Sequence, residues 1–177
     1  MRRKNRNIYF DIDGVLAKWQ DVPLEELTSP GYFKNLPAEK HMCKVFNLLL
    51  LHKETTFNIF TLSSVFQDNH SIEEKKEWLR NISPWLPEEN MIFVPYGTKK
   101  SDFIQKPQET DILVDDFTKN LKEWHGIGVK VFNGINGTHG SWNGFSIHSN
   151  MNPDILYRQL LGIIDYSIKD EVGDLDV

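Results

Sequence analysis

The chain is short of several things, and each shortage removes a class of function. It has one cysteine, Cys43, so an intrachain disulfide is excluded and the usage fits a reducing compartment, which makes the cytoplasm the expected location. It has no surplus of basic charge: 20 Lys and Arg stand against 25 Asp and Glu, a formal net charge of -5. Coating phosphates requires a basic face, so a nucleic-acid polymer is not an expected partner. The basic start Met1–Arg6 leads into a short apolar run broken by two aspartates, so neither a signal peptide nor a membrane span is expected. The six histidines show no His-x-His or His-Glu-x-x-His spacing, which argues against a zinc site. Repeats, long linkers and low-complexity tracts are also missing. A single domain over 1–177 is therefore expected, and 40% apolar residues suffice for its core.

What the chain does have begins with Ile8-Tyr9-Phe10-Asp11-Ile12-Asp13-Gly14-Val15-Leu16. An apolar strand ends on two aspartates one residue apart, and the glycine lets the backbone turn away. Crowded carboxylates repel, so the cluster requires a cation or a proton. Oxygen ligands at such a tip suit a hard cation such as Mg2+. An aspartate beside such an ion can also attack phosphorus.

Other apolar runs end on polar residues. Phe57–Leu62 reads as a strand followed by Ser63-Ser64, and Ile112–Val114 as one followed by Asp115-Asp116. Met91–Pro95 and Val129–Phe132 complete the expected strands. Helices are expected over 38–53, over 71–82 with Ser71 capping and Ile72, Trp78, Leu79 and Ile82 toward the core, over 118–125, and from Asn152-Pro153 to about Ile168. Cys43 falls within the first of these, at a position expected to be buried. Strands alternating with helices imply a doubly wound α/β fold, a Rossmann-like three-layer sandwich around a central parallel sheet. Ligands of such sheets bind beyond the carboxyl ends of strands, where the polar residues above fall.

In their order, Asp11-Ile12-Asp13-Gly14, Ser63, Lys100 and Asp115-Asp116 resemble the four motifs of the haloacid dehalogenase superfamily of phosphohydrolases. The likeness spans roughly residues 7–142. The segments Val114–Leu121 and Phe132–Trp142 (FNGINGTHGSW) are closer still to the 5'(3')-deoxyribonucleotidase family and its bacterial and phage relatives. That resemblance implies Asp11 as nucleophile and Asp13 as general acid and base, with the Asp13 carbonyl also binding Mg2+. It implies Asp116 as a metal ligand, Asp115 as a direct or water-mediated partner, and Ser63 and Lys100 on the phosphate. Thr61 and Ser64 compete with Ser63, and Lys99 with Lys100; the family lysine precedes a small residue and Asp, as in Lys100-Ser101-Asp102.

The substrate side is less determined. Residues 17–37 lack a clear period and hold Trp19, Tyr32 and Phe33; the family inserts a small cap there, so a reduced cap is expected. These aromatics and Trp142 offer flat surfaces to a base, although core burial is the simpler use of any one of them. His139 is a candidate on the substrate side or a loop-packing residue. Gly134, Gly137 and Gly140 do not make a dinucleotide fingerprint, since no helix opens directly behind them. The expected partner is a small phosphomonoester, a nucleoside monophosphate by resemblance. A sugar phosphate is the first alternative, and a non-catalytic metal-binding interaction protein the second. Oligomeric state is left open.

Overall fold

The computed structural model describes residues 6–52, 57–135 and 141–169. Six strands form one sheet: β1 Arg6–Phe10, β2 Phe57–Val65, β3 Met91–Pro95, β4 Ile112–Asp115, β5 Ile127–Phe132 and β6 Phe145–His148. Every pairing is parallel and the spatial order is β3-β2-β1-β4-β5-β6. The order reverses between β1 and β4, and at such a switch point the connecting chains diverge and leave a crevice beyond the strand ends. Phe10 lies in register with Thr61 on one side and Val114 on the other, which brings the tips of β1, β2 and β4 level.

The main helices are α2 Lys40–Leu50, α3 Ser71–Ile82 and α5 Pro153–Lys169, with short α1 Leu24–Leu27 and α4 Thr118–Lys122. Central strands are apolar on both faces because both faces are covered. Ile8, Phe10, Ile112 and Val114 pack with Met42, Phe46, Leu156 and Leu160, while Tyr9, Leu62 and Leu113 pack with Leu121 and Trp124 on the other side. Cys43 is buried as expected, its Sγ donating to the Leu16 carbonyl at 3.2 Å, and burial pushes its thiol up to about 12. Among the described residues, no helix is long and apolar enough to cross a membrane.

The expected strands and helices are present, with differences that have physical causes. Ser63 and Ser64 belong to β2 itself, and Asp115 to β4, because pairing with β3 and β5 carries the ladders past the apolar runs. Strand β6 was not expected: it has four residues, and only Ile147 among them is buried, so its apolar signal is weak. Ser71 is the first residue of α3 rather than its cap. The cap position is His70, and Asp68 just before it accepts at Oδ1 from the backbone N–H groups of His70 at 3.0 Å and Ser71 at 2.6 Å. Ile72 is exposed on the outer face of α3, while Lys75 occupies the inner stripe with Trp78 and Leu79. Asn152 starts α5, its Oδ1 accepting from Asp154 N–H at 2.9 Å.

Candidate active site

The crevice is built from strand tips. Asp11 follows β1 directly and donates its backbone N–H to the Val114 carbonyl at 2.9 Å, which locks the tip of β1 to that of β4. The chain then reverses in a tight loop, with Val15, Leu16 and Ala17 all donating to the Ile12 carbonyl. Gly14 has φ +76°, and a Cβ there would lie 2.0 Å from Asp116 Oδ2. Two constraints therefore demand glycine: left-handed backbone and close approach to an acid of the neighbouring strand.

Asp11, Asp115 and Asp116 converge. Each offers a carboxylate oxygen within 4.8 Å of the others, and all three side chains are buried. Lys100 lies between two of them, with Nζ 2.9 Å from Asp11 Oδ2 and 2.7 Å from Asp115 Oδ2. Burial opposes its charge, but the attraction of Asp11 and Asp115 outweighs this and holds the ammonium above the ordinary lysine range. Asp11 moves the other way from an ordinary carboxylate. Burial, with repulsion from Asp115 and Asp13, pushes it up to about 6 despite Lys100 and Lys75. Asp115 is nearly used up: Oδ2 accepts from Lys100 and, at 2.9 Å, from Asn120, while Oδ1 accepts from Phe117 N–H at 2.7 Å.

Asp13 points elsewhere. Its Oδ2 pairs with Lys75 Nζ and receives the Ser63 hydroxyl at 3.4 Å. Ser64 lines the cavity above, and its carbonyl accepts from Lys75 at 2.7 Å. Thr61 is buried and outside the cavity lining, with its hydroxyl unpaired, and Lys99 lies outside that lining as well. Of the competing residues, Ser63 and Ser64 stand beside the acids, and Lys100 reaches them.

Over this floor opens a cavity of about 330 Å3. Trp19, Leu24, Leu27, Tyr32 and Phe33 from the 17–37 segment form one side. Phe66, Tyr96 and Phe117, each just past a strand tip, form the other. Phe66 stacks between Phe33 and Tyr96, with centroids 6.4 and 5.0 Å away, so the wall is continuous. Volumes of ~300–1,000 Å3 are typical of small-molecule sites.

The structure separates Trp142 from this group. Its indole lies over Gly128 and Gly144, where added Cβ atoms would come within 2.7 and 2.5 Å of it. Its Nε1 donates to the Phe145 carbonyl at 2.9 Å, and it packs beside the cluster of Tyr9 and Leu113 rather than lining the cavity. His139, Gly137 and Gly140 lie outside the described residues. Three residues that the sequence reading gave no role stand at the site. Lys75 is one. Asn133 is another: its Nδ2 reaches both the Gly14 carbonyl and Asp116 Oδ2 at 3.0 Å, tying the first loop to the second acidic tip. Lys130, buried on β5, donates to Thr118 Oγ1 at 2.5 Å; burial lowers its pKa, against the pull of Asp116 and Asp115. Lys75 had a sequence signal, a lysine on the 71-75-78-82 stripe of an amphipathic helix.

The parallel sheet thus carries, at its switch point, an acidic cluster braced by Lys100. Comparison with known proteins goes further. Residues 19–143, well over half of the chain, match the model of the family described as 5' nucleotidase, deoxy (pyrimidine), cytosolic type C protein, and the chain belongs to that family. The matched span begins just after the Asp11–Gly14 loop. Proteins from two strains of Staphylococcus epidermidis, each named "Putative 5'(3')-deoxyribonucleotidase", are 24% identical over 115 residues, 65% of this chain. The alignment spans 58% of their own length.

Proposed function

We propose that the chain is a Mg2+-dependent phosphomonoesterase of the nucleotidase type, acting on nucleoside monophosphates through an aspartyl-phosphate on Asp11. The observation that carries this reading is the meeting of Asp11, Asp115, Asp116 and Lys100 beneath an aromatic-walled cavity of about 330 Å3. Family membership and the names of the relatives support the same reading.

The donor set fits a hard divalent cation. It is all oxygen: Asp11, Asp115 and Asp116 each bring a carboxylate oxygen within 4.8 Å of the others, and Lys100 pairs with two of the three. Asp11 and Asp116 would hold the ion together with the Asp13 carbonyl, because the Asp115 oxygens already serve Lys100, Asn120 and Phe117. When bound, Mg2+ supplies positive charge beside Asp11 and the substrate phosphoryl oxygens.

In the first step an Asp11 carboxylate oxygen bonds to phosphorus as the bond to the leaving oxygen breaks. Asp13, in its protonated form, passes its proton to that oxygen and becomes the carboxylate. In the second, water attacks phosphorus, Asp13 takes its proton, and the Asp11–phosphorus bond breaks to release phosphate. Ser63, Ser64 and Lys100 would hold the phosphoryl group, which in such transfers needs positioning and charge more than covalent chemistry. Residues 17–37 would act as a reduced cap within one domain, located in the cytoplasm.

The test is turnover of p-nitrophenyl phosphate with and without EDTA, followed by a panel of nucleotides and sugar phosphates. EDTA should silence the protein and Mg2+ restore it, with nucleoside monophosphates preferred. Preference for sugar phosphates would retain the chemistry and change the substrate. Absence of turnover with every phosphoester in Mg2+ would leave the metal-binding interaction protein.

A further inference from the structure

The first two acids of the site each have their own buried lysine. Lys100 is paired with Asp11, and Lys75 with Asp13. The second pair lines the cavity and has a different construction.

Lys75 is 1% exposed. Its ammonium has three donors and three acceptors: Asp13 Oδ2, Ser63 Oγ at 3.0 Å and the Ser64 carbonyl at 2.7 Å. It also sits 4.4 Å from the centroid of the Phe33 ring, which closes off the side facing the 17–37 segment. With every proton directed and one face covered, the ammonium has a single place to be, and Asp13 Oδ2 is fixed by it. Asp13 keeps 22% of its side chain exposed, toward the cavity that would take the leaving group.

The helix that carries Lys75 is itself fastened to the cavity wall. Glu74 accepts from the backbone N–H groups of Gly31 at 2.5 Å and Phe33 at 3.1 Å. Trp78 donates from Nε1 to the Leu36 carbonyl at 2.7 Å. One face of α3 thus holds both the aromatic side of the cavity and the acid below it.

We propose that Lys75 is a positioning residue for Asp13, holding its carboxyl on the leaving-group side of the crevice and apart from the cluster of Asp11, Asp115 and Asp116. The proposal rests on the reading of Asp13 as the group that protonates the leaving oxygen. Proton delivery requires the acid within hydrogen-bond reach of that oxygen, and small displacements are costly. A poor leaving group, such as the alkoxide of a nucleoside, depends on the proton; p-nitrophenolate leaves with little help. Loss of Lys75 should therefore discriminate between substrates, which a purely structural defect would not do.

The experiment measures kcat/KM of the full-length protein in Mg2+ for a nucleoside monophosphate and for p-nitrophenyl phosphate, with folding followed by circular dichroism. Lys75→Gln should lose about a hundredfold or more on the nucleotide and under about tenfold on p-nitrophenyl phosphate. In an Asp13→Asn background it should add less than about threefold on the nucleotide, since the two residues act as a unit. Lys75→Arg keeps the cation with a displaced centre, and should recover part of the nucleotide loss with the remainder still confined to that substrate. If Lys75→Gln does not fold, Lys75→Arg decides alone. An equal response of the two substrates in a folded variant, or full additivity with Asp13→Asn, overturns the proposal. A wild-type protein inactive on both would instead overturn the phosphatase reading beneath it.

Discussion

The floor and the wall of the crevice are built on opposite principles. The floor is charged and buried: Asp11, Asp115, Asp116 and Lys100 are each less than 10% exposed, and the register of β1 with β4 brings the two acidic tips level. The wall is aromatic and partly open, with Tyr96 70% and Phe117 50% exposed. The floor gathers charge where water cannot screen it, which makes each group costly to disturb and, in the proposed function, effective on a reacting anion. The wall offers flat, adaptable surface. Damage to the floor should therefore remove chemistry for every substrate, while damage to the wall should alter which substrate is preferred.

The largest effect should come from Asp11→Asn. The amide is close in shape but cannot attack phosphorus, so kcat should fall more than about a hundredfold, over ~3 kcal/mol, for all phosphoesters alike. The same change should leave the metal-free protein more stable at neutral pH. Asp11 rises to about 6 in the fold from an ordinary 3.8, so between these values the native state binds the proton more tightly than the unfolded chain does. Stability from this group is present at low pH and lost as pH rises toward 6, and the amide has no such loss. Thermal unfolding in EDTA at pH 5 and pH 7 should show the wild type penalised at the higher pH relative to Asp11→Asn.

Next in size is Lys100→Met. It leaves Asp11 and Asp115 buried without their shared cation, and breaking a buried pair in this way typically costs ~3–5 kcal/mol. A lowered Tm, partly restored by Mg2+, is the expected reading in a melt with and without the ion.

Smaller effects belong to the wall. If Trp19 or Phe117 stacks a base, replacement by Ala should cost ~1–3 kcal/mol in kcat/KM for a nucleotide and little for ribose 5-phosphate. Trp142→Ala should do neither: its indole covers Gly128 and Gly144, so Tm should fall while the ratio between the two substrates stays unchanged. Steady-state kinetics on both substrates separates these variants.

The contrast between floor and wall also accounts for what was legible beforehand. The apolar runs ending in Asp11, Ser63 and Asp115 could be read because buried parallel strands need such runs, and the switch point requires their polar ends to meet. Lys75 was missed because a lysine on a helix is usually solvated; its place on the inner stripe with Trp78 was the available sign. Asn133 was missed because a loop asparagine has no periodicity, and only the fold brings it to Gly14 and Asp116. Trp142 was expected at the mouth because it follows the loop after β5, yet β6 draws it against Gly144, and that four-residue strand left almost no apolar pattern to read. Phe117 follows a strand tip whose acids drew the attention, and Tyr96 follows β3, whose end carries no acid or hydroxyl to mark it.

The division of labour is tested most directly by measuring kcat/KM for a nucleoside 5'-monophosphate and for ribose 5-phosphate in wild type, Asp11→Asn and Trp19→Ala. Both substrates release phosphate from a primary ribose 5-oxygen, and they differ by the base. Asp11→Asn should lower both by more than about a hundredfold, and Trp19→Ala should lower the nucleotide alone by an amount equivalent to ~1–3 kcal/mol. An Asp11→Asn protein that keeps more than about a hundredth of wild-type kcat/KM on either substrate, or a Trp19→Ala protein that treats the two alike, would contradict it.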